Sequence, residues 1–102
     1  MKNFFEIKEL LKNHKKEFEG KYQIKDIGIF GSYAKGFQNK TSDIDVLVTF
    51  EKPVSLLHII SFENYLSDML GIKVDVVPKN NIRKELKDSI LKETVSVWKE
   101  AW

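Results

Sequence analysis

Three aspartates and one glycine-serine turn hold the chemistry that this sequence can do. Asp43 and Asp45 stand two apart in Asp43-Ile44-Asp45-Val46-Leu47-Val48, and Asp75 stands in Lys73-Val74-Asp75-Val76-Val77. Alternate residues of a strand share a face, so Asp43 and Asp45 point to one side, about 7 Å apart along the chain. Carboxylates placed this way can share divalent cations, and Mg²⁺ usually reaches a protein through one or two carboxylates plus substrate phosphates. If the strand of Asp75 pairs beside that of Asp45, three acids converge. Two metals roughly 3.5–4 Å apart would then serve an in-line displacement at phosphorus. Each part alone has a plainer reading. Asp-x-Asp is most often a solvated strand edge, and Asp75 by itself is an exposed residue on a half-covered sheet.

The second group is Phe30-Gly31-Ser32-Tyr33-Ala34-Lys35-Gly36. Glycine lets backbone N–H groups approach an anion closely, and a following helix N-terminus favours negative charge. Ser32 adds a hydroxyl donor, and Lys35 adds a cation for a triphosphate. The spacing is not that of a Walker A loop. Alone, the turn reads as a strand-to-helix junction with Ser32 as its cap.

These residues need a scaffold, and the hydrophobic pattern supplies one. Phe4, Ile7, Leu11, His14 and Phe18 recur at helical spacing, which predicts a helix over Phe4 to Phe18 with Gly20 as its C-terminal cap. Tyr22 to Phe30 reads as a strand, Ser32 opens one short helix, and Gln38 to Ser42 reads as a loop. Asp43 to Phe50 is the clearest strand: Ile44, Val46, Val48 and Phe50 lie on one face, and Asp43, Asp45, Leu47 and Thr49 on the other. Ser55 caps a long, heavily buried helix to Leu70, which Gly71 stops. Lys73 to Val77 forms a third strand, closed by Pro78. Asn81 caps a last helix from about Ile82 to Glu93, and Thr94 to Trp98 is a short final strand or an extended tail. The expected fold is α/β (α+β), a small mixed β-sheet flanked by helices, in a single domain over residues 1–102.

Composition narrows the class without naming a reaction. The chain has 102 residues, 42% hydrophobic and 31% charged, with a formal net charge of +2 and no cysteine. That charge is too weak to argue for nucleic-acid binding, and the lack of cysteine excludes disulfides and thiolate metal sites. No apolar run is long enough for a bilayer, and Glu6, Lys8 and Glu9 interrupt any signal-peptide pattern, so cytoplasm is the expected location. His14 and His58 lack partners at ligand spacing and read as packing or surface residues. Trp98 and Trp102 either cover the core or meet a partner, with Trp102 the better interface candidate.

Together the parts are far more specific than apart. Gly31-Ser32, ten intervening residues, and Asp43-x-Asp45 in an apolar strand resemble the signature of the DNA polymerase β-like nucleotidyltransferase superfamily. Asp75 fits that superfamily's third acid, and the resemblance spans about Ile24 to Val97. The small size is similar to the minimal nucleotidyltransferases, the MNT group. The resemblance implies a nucleotidyltransferase fold and transfer of AMP from ATP with release of pyrophosphate. It implies that Asp43, Asp45 and Asp75 ligate two Mg²⁺ ions, and that Asp75 also helps deprotonate the acceptor hydroxyl. Gly31 and Ser32 would hold the β- and γ-phosphates. MNT proteins are commonly antitoxins that place AMP on a tyrosine of a HEPN-domain toxin, an RNase, so such a toxin is the expected partner. Two other readings stand beside it: a catalytically silent antitoxin acting by occlusion, and transfer to a small molecule such as an aminoglycoside. The oligomeric state is left open.

Overall fold

Asn3 opens the first helix, because its side-chain oxygen accepts the Glu6 N–H at 2.8 Å while the Glu6 carboxylate accepts the Asn3 N–H at 3.3 Å. The computed structural model describes residues 3–36 and 43–98. The loop expected over Gln38 to Ser42 and the role expected of Trp102 lie outside them.

The single helix expected over Phe4 to Phe18 is two, α1 (Phe4–Asn13) and α2 (Lys15–Tyr22). They meet at His14, whose φ of −102° and ψ of 15° leave the helical range and whose Nδ1 lies 2.7 Å from the Leu10 carbonyl oxygen. Gly20 does not cap the helix. Phe18 and Tyr22 lie four apart on one face and are both buried, so α2 runs on past the glycine. Gln23 then takes the left-handed cap, with φ 60°.

Four strands form one mixed sheet in the order β3-β2-β1-β4: β1 (Ile24–Phe30), β2 (Ile44–Phe50), β3 (Val74–Pro78) and β4 (Val95–Ser96). β2 runs antiparallel to β1 and parallel to β3, and β4 is antiparallel to β1. The parallel pair is joined through α4 (Leu56–Leu70), capped by Ser55, whose Oγ accepts the His58 N–H. One face of the sheet builds the core. Ile27, Ile29, Ile44, Val46, Val48, Val74 and Val76 pack there against Ile7, Leu11, Phe18, Phe62 and Leu66. Ile24 also belongs to that core, although it lies three residues from Ile27. A register shift between Ile24 and Asp26 absorbs the odd residue, so that Ile24 and Ile27 face the same side opposite Phe50 and Val48.

α4 also covers the outer edge of β3, where Ser67 Oγ accepts the Val74 N–H at 3.0 Å and Glu63 Oε2 accepts the Val76 N–H at 2.8 Å. His58 and Trp98 are packing residues: His58 Nε2 lies 2.7 Å from the Tyr22 carbonyl oxygen, and Trp98 lies against Phe18. The last helix starts later than expected. Residues Lys79–Asn81 form a 3-10 turn, and α5 is Lys84–Glu93 with Arg83 at its cap in place of Asn81. No helix among the described residues is long and apolar enough to cross a membrane.

Phe62 is fully buried and meets the Phe18 ring edge-on at 5.2 Å. Phe62→Ala should cost about 3–5 kcal/mol in urea unfolding.

Candidate active site

The sheet register assembles the acids. Phe30 is the partner of Asp45 across β1 and β2, and Asp45 is the partner of Asp75 across β2 and β3. Partners on neighbouring strands share a face, so Asp45 and Asp75 stand side by side on the sheet surface opposite the core. Asp43 immediately precedes β2, outside the strand assigned to it from sequence, and Lys73 likewise precedes β3. The Ile44 N–H donates to the Lys73 carbonyl at 2.9 Å, tying the two strand starts together, and Lys73 Nζ lies 3.8 Å from Asp43 Oδ2.

Burial raises the pKa of Asp45 above the usual carboxylate value, and the charges of Asp75, Asp43 and Glu93 add to the shift. The charges of three other carboxylates therefore reach Asp45. Among the described residues, no three acid or imidazole groups converge closely enough to hold an ion as they stand. Asp43 is instead engaged by Lys73.

Gly31 links the acids to the turn. Its φ of 75° and ψ of −152° fall in a region that is essentially restricted to glycine, and a Cβ there would lie 2.3 Å from Asp45 Oδ2. The backbone thus runs directly against the carboxylate. Gly31, not Ser32, holds the cap position; Ser32 is the first residue of α3 (Ser32–Lys35), which is closed by a Lys35 N–H to Gly31 carbonyl bond of 3.1 Å. Lys35 pairs with Glu93, Nζ to Oε2 at 3.0 Å, and the other Glu93 oxygen accepts the Gly31 N–H at 3.3 Å.

Glu93 is the residue that sequence reasoning missed. It ends α5, where a negative charge opposes the helix dipole, and that misfit was the available signal. A cavity of about 430 Å³ around Thr49, Phe50, Pro78 and Asn81 lies at the far ends of β2 and β3. Thr49 is four strand residues from Asp45, roughly 13 Å along β2, so this cavity is separate from the acids.

The family model of the nucleotidyltransferase domain matches residues 11–97. A protein of Methanocaldococcus jannaschii with the provisional name protein adenylyltransferase is 51% identical over 98 residues, which is 95% of this chain and all of that protein. Protein adenylyltransferase MntA of Thermococcus cleftensis is 41% identical over 92 residues, covering 90% of this chain and 93% of that one. The fold matches a solved chain from a complex described as tri-AMPylated Shewanella oneidensis HEPN toxin with MNT antitoxin. There the TM-score is 0.66 at 19% identity, over 89% of this chain and 71% of that chain.

Two measurements check the site geometry. Gly31→Ala should destabilise the fold by roughly 1–3 kcal/mol in chemical denaturation, because both its backbone conformation and its contact with Asp45 resist a side chain. Asp45→Asn should raise the thermal midpoint at pH 7 in the presence of a chelator. A carboxyl whose folded pKa is raised binds its proton more tightly in the folded state, so ionising it costs stability as pH rises from its ordinary 3.8. The gain should shrink as pH falls toward that value.

Proposed function

The chain belongs to the nucleotidyltransferase domain family, and from that premise we propose that it transfers AMP from ATP to a tyrosine hydroxyl of a HEPN-domain toxin. The observation that carries the reading is the row formed by the Gly31 turn, Asp45 and Asp75, with Asp43 beside it. The protein adenylyltransferase names of two relatives that match along almost their whole lengths support AMP as the group moved. The HEPN toxin complex among the fold neighbours supports the class of acceptor.

The donor set suits Mg²⁺. Asp43, Asp45 and Asp75 offer only hard carboxylate oxygens, and the neighbouring negative charges that add to the burial-raised pKa of Asp45 are what a divalent cation relieves. These three aspartates would hold two Mg²⁺ ions, which when bound would neutralise charge developing on the reacting phosphate and on the leaving pyrophosphate.

The rest belongs to the chain. The Gly31–Ser32 turn binds the β- and γ-phosphates through its N–H groups and the Ser32 hydroxyl, and Lys35 adds a cation. Held there, the triphosphate presents its α-phosphorus toward the aspartates. The acceptor oxygen forms a bond to that phosphorus, the bond to the bridging oxygen of the pyrophosphate breaks, and the hydroxyl proton passes to Asp75. The protein acceptor supplies the other wall of the site, and the orientation it brings is worth roughly 7–11 kcal/mol in well-positioned reactions.

The test is incubation with labelled ATP, Mg²⁺ and a HEPN-type protein encoded by a neighbouring gene. Label should appear on a tyrosine of the partner and vanish with Asp43→Ala plus Asp45→Ala. Toxin neutralisation that survives those substitutions would instead mean inhibition by occlusion.

A further inference from the structure

We propose that Glu93 is a stand-in for triphosphate oxygen: it occupies the Gly31 N–H and the Lys35 ammonium, and nucleotide must displace it to bind. This rests on the reading of the Gly31 turn as the phosphate seat. One carboxylate bridges both groups, with Oε1 3.3 Å from the Gly31 nitrogen and Oε2 3.0 Å from Lys35 Nζ. A carboxylate oxygen and a phosphate oxygen seek the same donors, and the Gly31 N–H has a single hydrogen to give. Glu93 and an incoming phosphate therefore compete for it.

The bridge is built to be exchanged. The Lys35 side chain is half exposed and that of Glu93 about one-quarter exposed, so the pair is a surface ion pair with modest hold. No side chain of α5 is fully buried, and its end is secured independently, by the Thr94 hydroxyl donating to the Ile90 carbonyl at 2.6 Å. The Glu93 side chain can thus leave while the backbone stays. Glu93 also faces a crowded neighbourhood, since its charge acts on Asp45 together with Asp43 and Asp75. A polyanion arriving at the turn would meet this negative charge unless Glu93 moved aside.

Calorimetric titration of the intact chain with two probes in the presence of Mg²⁺, AMP-PNP and inorganic tripolyphosphate, tests the proposal. Glu93→Gln removes the charge and keeps the size; Glu93→Ala removes the whole bridge, and thermal melting checks that each variant folds. Both variants should bind both probes about three- to tenfold more tightly than the natural chain. A bracing role for Glu93 would give the opposite, weaker binding with a lower melting point. Unchanged or weaker binding by the variants, while the natural chain binds, overturns the proposal and leaves the phosphate-seat reading standing. Tightening of only one probe also overturns it, because the competition is for phosphate oxygen common to both. If neither the natural chain nor the variants bind either probe, the proposal falls together with the reading beneath it.

Discussion

The parallel pairing of β2 with β3 is the constraint on which the rest of the molecule depends. Ile44 is matched with Val74 and Val46 with Val76, all of them buried on the core face. Each such side chain is worth roughly 1.5–3 kcal/mol when taken from water, so the ladder is firmly held in this register. A slip by one residue would turn the apolar set outward. The same register sets Asp45 against Asp75. Two acids that would otherwise repel are therefore held together by hydrophobic contacts on the other side of the sheet, and the pKa of Asp45 is raised by burial first and by the charge of Asp75 second.

Gly31 extends the constraint into the turn. Its lack of a side chain lets the backbone approach Asp45 closely, in a conformation that other residues resist. The acids and the turn are thus one unit, and Glu93 is attached to it from a distant part of the chain through the same glycine nitrogen.

Much of this was legible in the sequence because period and chemistry coincide. Ile44, Val46 and Val48 alternate cleanly, so β2 and the side of Asp45 followed directly. The Gly31-Ser32 turn and the spacing to Asp43 and Asp45 pointed to the nucleotidyltransferase family. The failures lie where a tertiary contact overrode a local signal. Gly20 looked like a helix stop, but burial of Phe18 and Tyr22 carried α2 past it to Gln23. Asn81 looked like a cap, yet it lies in a 3-10 turn ahead of α5. Lys35 was read for a triphosphate without its ion-pair partner, since Glu93 lies far along the chain and no local spacing connects them.

The side chains of Ser67 and Glu63 that reach the outer edge of β3 have a consequence for how this molecule lives among copies of itself. An uncovered sheet edge is a template on which another chain can add a strand, the route to fibrils and domain exchange. At β3 the Val74 and Val76 donors are already bonded to side chains of α4. A docking strand would first have to break both bonds, so α4 acts as a guard rail against aggregation along the margin next to Asp75.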